Sequence, residues 1–176
     1  MVEKIKVENV VASTDIKKII SLDKLLTVLE ASEYEPEQFP GLVFRLDEPK
    51  VATLIFRSGK IICVGARSTK AAKLALKITV GKIKKIGIRF NENNLKVKIE
   101  NIVVAVNLER DLNLDQLAFQ LENSEYEPEQ FPGLVYRIHD PKVAFLLFSS
   151  GRVVCAGAKS LDSVKKAVAK LEAQLK

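Results

Sequence analysis

Apolar and polar residues follow the same series of patterns twice along this chain. Lys4 to Ala12 alternates charged with aliphatic residues and then becomes apolar, which predicts a strand. Ser21 then precedes four leucines with the i, i+3, i+4, i+7 spacing of one buried helical face, and Asn113 precedes an equivalent apolar series. Each of these two residues is therefore predicted to be the N-cap of a short helix.

Three β-rich runs come next in the first copy, at Leu42 to Leu46, Val51 to Arg57 and Lys60 to Ala66. Their connections are short, so the runs are predicted to form antiparallel hairpins. A second helix is predicted to begin after the cap Ser68 and to stop near Gly81, and its counterpart follows Ser160. Each copy is thus expected to contain four or five strands and two helices.

The two copies are related by a constant offset of 92 residues. Val7 to Ser68 aligns with Ile99 to Ser160 without a gap, and 33 of the 62 aligned pairs are identical. The segment Ser32 to Val43 recurs letter for letter as Ser124 to Val135. Two long copies favour an internally duplicated domain with a pseudo-two-fold axis over a solenoid, which needs several short units. We assign residues 1–92 to the first repeat and 93–176 to the second.

The strands are apolar on both faces, which is unusual for an antiparallel sheet with helices on one side. In Val51 to Arg57 the even positions Ala52, Leu54 and Phe56 are apolar, and so are Val51 and Ile55. Two helices per copy can cover only one face. The other face is therefore predicted to meet a macromolecular partner, a lipid or small ligand, or a second subunit.

Composition narrows the choice of chemistry. The chain is 47% hydrophobic and 28% charged, has no apolar run of membrane-spanning length, and its N-terminus lacks the pattern of a signal peptide, which favours a soluble intracellular protein. A single histidine, His139, and two distant cysteines, Cys63 and Cys155, argue against a catalytic triad, a zinc site and a disulfide framework. Strand parity places both cysteines on the helix side as small buried residues. We expect no enzyme activity, cofactor or metal.

A few polar residues occur in both copies where they could line the bare face. The net charge of +6 permits a nucleic-acid partner, although residues 1–92 carry all of it (17 − 11 = +6) and residues 93–176 none (11 − 11 = 0). An apolar platform with paired asparagines and a basic rim suits a DNA minor groove. The paired polar residues are Asn9 and Asn101, Arg45 and Arg137, Lys60 and Arg152, and Arg67 and Lys159.

Three features resemble the duplicated core of the TATA-binding protein family. They are the motif Glu-Pro-Glu-Gln-Phe-Pro-Gly-Leu-Val, a second phenylalanine 17 residues after the one in this motif, and a later Val-Gly-Ala-Arg. The resemblance covers nearly the whole chain, and the short chain resembles the archaeal form. It implies an α+β saddle of about ten antiparallel strands, with four helices on the convex face and DNA on the concave one. It also implies a general transcription initiation factor that bends a TATA element through the minor groove.

The resemblance assigns roles to individual residues. The wedges that enter base steps match Phe39, Phe56, Phe131 and Phe148. The base contacts and groove floor match Asn9, Val11, Leu54, Ile62, Val64, Asn101, Val103, Leu146, Val154 and Ala156. The phosphate contacts match Arg45, Ser58, Lys60, Arg67, Arg137, Ser150, Arg152 and Lys159. Val64 and Ala156 stand where the family often has a hydroxyl, which implies fewer hydrogen bonds to bases and more reliance on DNA shape.

Implied partners are A·T-rich double-stranded DNA, a B-type initiation factor contacted by Glu127 and Glu129, RNA polymerase indirectly, and a second copy of the chain when DNA is absent. The implied location is at DNA, in the cytoplasm of a cell without a nucleus. The alternative from another class is a helix-and-sheet module that binds a small hydrophobic ligand on its bare face. Such a pocket needs convergent polar groups inside the concavity, and the two repeats offer only paired asparagines and rim cations.

Overall fold

A computed structural model describes residues 5–176, so Lys4 of the first predicted strand lies outside the described residues. The first repeat contains β1 (Ile5–Asp15), α1 (Leu22–Val28), β2 (Ser32–Glu33), β3 (Leu42–Asp47), β4 (Lys50–Ile55), β5 (Lys60–Ala66) and α2 (Thr69–Lys84). A 3-10 helix (Glu92–Asn94) follows. The second repeat contains β6 (Lys98–Asn107), α3 (Leu114–Gln120), β7 (Ser124–Glu125), β8 (Leu134–His139), β9 (Lys142–Leu147), β10 (Arg152–Ala158) and α4 (Leu161–Gln174).

The strands form a ten-stranded antiparallel sheet with the order β2-β3-β4-β5-β1-β6-β10-β9-β8-β7. Each repeat contributes five strands and two helices in the same chain order. The predicted α+β class is therefore confirmed, including the hairpins between consecutive strands. The Cα-contact pattern divides the chain into two compact units, one of residues 9–100 and the other of residues 101–176 with the beginning of β1.

The helices begin where the sequence predicted. The side-chain oxygens of Ser21 and Asn113 accept hydrogen bonds from the backbone N–H of Lys24 (3.3 Å) and Gln116 (3.0 Å), and Ser68 accepts from that of Ala71 (3.0 Å). Ser160 caps α4 in the same way. Each cap satisfies one of the N–H groups that the first helical turn leaves without a partner.

One predicted boundary is wrong. Helix α2 does not stop near Gly81 but continues to Lys84, because Ile83 is buried on the same helix face as Val80 and Leu76. A glycine inside a helix costs roughly 1 kcal/mol, whereas burying an isoleucine side chain contributes about 1.5–3 kcal/mol. The free energy gained by burying the next turn therefore exceeds the cost of the glycine in the helix. None of the helices in residues 5–176 is both long and apolar enough to cross a membrane.

Within each unit, one face of the strands is covered by the second helix. Helix α2 contacts β4 and β5, and α4 contacts β10. In β4 and β5 alternate residues are buried on the side of this helix, with Val51, Thr53 and Ile55 in the first strand and Ile61 and Cys63 in the second. The residues between them point to the other side of the sheet, as the two-residue repeat of a strand requires.

Candidate nucleic-acid interface

The uncovered side of the sheet carries half-buried apolar residues in both repeats, and we call it the open face. It contains the predicted floor residues Val11, Leu54, Ile62 and Val64 in repeat one, and Val103, Leu146, Val154 and Ala156 in repeat two. Leu54 lies directly across from Ile62, and Leu146 from Val154. The predicted floor residues of neighbouring strands are therefore brought together.

Strand pairing adds residues to this face that were not among the predicted site residues. Val43 is the partner of Leu54, and Val135 is the partner of Leu146. Ala52 and Ala144 lie beside them, opposite Arg45 of β3 and Arg137 of β8. For Val43 and Val135 the available signal was alternation in β3 and β8, because residues two apart in a strand share a face and Arg45 and Arg137 follow them at that spacing.

Asn9 and Asn101 are fixed by hydrogen bonds to backbone 56 residues away. The N–H of Gly65 donates to Asn9 Oδ1 at 2.7 Å, and the N–H of Gly157 donates to Asn101 Oδ1 at 2.7 Å. Both glycines have positive φ (+89° and +107°) and lie near register shifts in the strand pairing. Because each amide oxygen accepts from the backbone, Nδ2 is the donor that each asparagine presents.

The four predicted wedges form two aromatic pairs. Phe39 and Phe56 meet edge to face with ring centroids 5.7 Å apart, and Phe131 and Phe148 repeat the arrangement at 5.9 Å. Phe39 is 38% exposed and Phe131 40%, although phenylalanine normally prefers the core. The structure therefore brings each predicted pair together and leaves one ring of each pair at the surface.

The glycine of the Phe-Pro-Gly motif makes room for these rings. A Cβ placed on Gly41 would lie 2.7 Å from Phe39 Cε2 and 3.0 Å from Phe56 Cε1. A Cβ on Gly133 would lie 2.7 Å from Phe131 Cε2 and 3.1 Å from the other ring. Any side chain here would have to displace the aromatic pair.

A tight turn places the first ring of each pair. The backbone N–H groups of Gln38 and Phe39 both donate to the carbonyl of Glu35 at 2.9 Å. In repeat two Gln130 and Phe131 donate to Glu127 at the same distances. The predicted partner contacts Glu127 and Glu129 are exposed in this turn, as are their counterparts in repeat one. The two loops therefore agree in hydrogen bonding as well as in sequence.

The predicted phosphate contacts are exposed in both repeats. Ser58 Oγ accepts from the N–H of Lys60 at 3.5 Å in the β4–β5 turn, and Ser150 Oγ accepts from that of Arg152 at 3.4 Å. Arg67 and Lys159 stand immediately before the N-caps of α2 and α4. Arg45 and Arg137 each form an ion pair with a glutamate of the neighbouring short strand, described further below.

Cys63 and Cys155 are fully buried on the helix side of the sheet, as predicted. Burial raises the pKa of each thiol from 9.0 to about 11, because the apolar surroundings disfavour the thiolate. His139 is exposed at the end of β8. Within residues 5–176 no group of three or more His, Cys, Asp or Glu side chains could hold a metal ion.

Comparison with known proteins gives one consistent result. The family model described as "Transcription factor TFIID (or TATA-binding protein, TBP)" matches residues 4–86 and 96–176. A TATA-box-binding protein of Picrophilus torridus is 51% identical over 175 residues, covering 98% of this chain and 95% of the relative. One from Methanothermobacter thermautotrophicus is 52% identical over 171 residues, covering 97% and 94%.

A solved structure, Methanococcus jannaschii TBP, superposes with a TM-score of 0.88 at 50% identity and covers 98% of both chains. The agreement extends over the same two repeats as the family model. It confirms the predicted duplicated saddle fold.

Proposed function

The chain belongs to the TATA-binding protein family, whose members are general transcription initiation factors and not enzymes, and on that premise we propose that its open face binds and bends an A·T-rich TATA element through the minor groove. Binding by inserted apolar wedges is the mode for which this family is itself the standard example. The bound complex then recruits a B-type initiation factor and, through it, RNA polymerase.

The observation that carries this proposal is the presentation of Asn9 and Asn101 within an apolar face. Their oxygens accept from Gly65 and Gly157, which leaves the Nδ2 donors for the ligand. In the minor groove A·T and T·A pairs present only acceptors, whereas G·C adds the N2 amino donor. The fixed Nδ2 donor can therefore bond to an acceptor of an A·T pair, whereas at a G·C pair it would face the N2 amino group, which is itself a donor.

The aromatic pairs supply the wedges. Phe39 and Phe131 are already partly exposed, so insertion does not require the core to open. Bending a site of this kind costs on the order of 1–10 kcal/mol, and each unstacked step costs a few more. Burying roughly 1,000 Å² of apolar surface at about 25 cal/mol per Å² returns some 25 kcal/mol before association entropy is subtracted, so the bend is feasible.

Val64 and Ala156 offer no hydroxyl to a base edge, although both lie on the open face. Base recognition then rests on the asparagines and on how easily the sequence deforms. Flexible TA steps lower the deformation energy, and this contributes specificity at positions without a hydrogen bond.

Two further parts of the proposal concern partners and organisation. Glu127 and Glu129 form an exposed acidic turn suited to a basic surface on the B-type factor. We also propose that the boundary between the two functional repeats lies between residues 92 and 93. The protein resides at DNA in a cell without a nucleus. When DNA is absent, a second copy of the chain covers the open face.

The test is a gel shift with a TATA duplex, a scrambled duplex of equal composition, and a TATA duplex in which inosine·cytosine replaces A·T. Inosine·cytosine lacks the N2 amino group, so it resembles A·T in the minor groove and G·C in the major groove. We expect tight binding to the first and third duplexes and weak binding to the second. Equal binding to TATA and scrambled DNA would favour the hydrophobic-ligand alternative, and loss of binding with inosine would contradict minor-groove recognition.

A further inference from the structure

Each repeat pairs one predicted phosphate-binding arginine with a glutamate of its own edge strand. Arg45 Nη1 lies 3.2 Å from Glu33 Oε1, and Arg137 Nη1 lies 3.6 Å from Glu125 Oε1. More than half of each of these four side chains is exposed. The repetition of the pair in both units shows that it is a regular feature of the fold.

Strand register explains why the pair forms. Glu33 in β2 lies opposite Val43 of β3, and Arg45 follows Val43 by two residues on the same face. The backbone N–H of Arg45 also donates to the carbonyl of Ala31 at 3.1 Å, which holds the beginning of β2 against β3. The carboxylate and the guanidinium are therefore diagonal neighbours on the open face, within reach of each other.

This arrangement has a consequence for DNA binding that rests on the proposed function. A guanidinium can bind a phosphate with its full set of donors only if the carboxylate that shares them gives way. The carboxylate also remains beside the incoming phosphate, and the two anions repel each other. We propose that Glu33 and Glu125 compete with DNA phosphates for Arg45 and Arg137, and thereby set both the affinity for DNA and its dependence on salt.

The test compares Glu33→Gln, Glu125→Gln and the double variant with the wild-type protein on one TATA duplex. Repulsion across about 7 Å of high-dielectric solvent corresponds to roughly threefold in Kd per site, so the double variant should bind about tenfold more tightly. Each arginine that becomes available should also steepen the log Kd against log salt slope by up to about 0.9. Tighter binding and a steeper slope are thus expected together.

Glu30→Gln is the matched control, because it removes the same charge three residues earlier in the chain. Glu30 is exposed in a groove with Phe44 and Lys82 on the helix side of the sheet. It should change neither the affinity nor the slope by more than a small general charge effect. Thermal unfolding of every variant checks that the fold is unchanged, as expected for substitutions of exposed side chains.

A double-mutant cycle separates competition from simple repulsion. If Glu33 occupies Arg45, then Arg45→Gln should reduce DNA affinity more in the Glu33→Gln background than in the wild type. An equal reduction in both backgrounds, or weaker DNA binding by Glu33→Gln, would overturn the proposal, the latter by showing that the glutamate positions the arginine. Wild-type protein that failed to select TATA DNA would instead refute the proposed function, so the two failures are distinguishable.

Discussion

Substituting Gly133 by alanine should disturb DNA bending while leaving the fold nearly intact. The new Cβ would lie 2.7 Å from Phe131 Cε2 and 3.1 Å from Phe148 Cε1. Carbon atoms in contact are normally about 3.5–4.0 Å apart, so the nearer ring must move by roughly 0.8 Å or more. Gly133 is not among the glycines with positive φ, so the backbone itself accepts alanine.

The size of each effect follows from where the rings lie. Phe131 is 40% exposed and can swing outward, so the loss of stability should stay near 1 kcal/mol, at the lower end of the 1–3 kcal/mol typical of overpacked cores. For DNA, the displaced ring no longer fits the base step, so it loses part of the contact that must offset the few kcal/mol of unstacking. Losing about 1.4 kcal/mol of that contact would weaken binding about tenfold.

The assay combines urea unfolding with fluorescence measurements on an end-labelled TATA duplex, using anisotropy for Kd and energy transfer for the bend. Gly81→Ala is the control, since a Cβ there meets nothing within 4 Å and the residue lies inside α2. It should stabilise the protein by up to about 1 kcal/mol and leave the bend unchanged. Wild-type bending by Gly133→Ala, or a loss of more than about 3 kcal/mol of stability, would refute this account of the glycine.

Further expectations concern the wedges, the turn, the cations and the thiols. Phe148→Ala should reduce DNA bending, measured by energy transfer, with little loss of stability in urea unfolding. Normal bending together with a large loss of stability would show that the ring has a structural role. Glu129→Arg should abolish the ternary complex with the B-type factor in a gel shift but keep binary binding, whereas Glu37→Arg should spare both; equal effects would contradict a role specific to the second loop. The slope of the logarithm of the association constant against log salt should lie between about −3.6 and −5.4, at about 0.9 per cation for four to six phosphate cations, and a slope near zero would remove the basic-rim argument. Cys63 and Cys155, with pKa values of about 11, should resist a thiol reagent at pH 8 until the protein unfolds, and their contribution to stability, complete below pH 9, should be lost as pH rises towards 11.

The fold was largely predictable because its signals are local. Ser21 and Asn113 cap helices that the apolar spacing had already located, and the short connections between strands left only hairpins. The end of α2 was not predictable in this way. The local signal at Gly81 favoured a stop, but the burial of Ile83, which depends on tertiary packing, extended the helix.

In the candidate site, too, the features set by local sequence were predictable and those set by tertiary contacts were not. The spacing of Phe39 and Phe56 within a repeated motif is visible in the sequence, and their pairing follows. The hydrogen bond from Gly65 to Asn9 joins residues 56 apart and depends on a register shift between strands. The ion pair of Arg45 with Glu33 depends on a two-residue strand that no periodicity could reveal.

The short strands β2 and β7 also bear on how such a protein stays dispersed. They are the outermost strands of the sheet, and each is only two residues long and includes a glutamate. A neighbouring molecule that tried to extend the sheet would find only a very short strand with few hydrogen-bonding groups, and a negative charge, at each edge. The protein can therefore keep an apolar face uncovered without offering, at these edges, a template on which fibrils could grow.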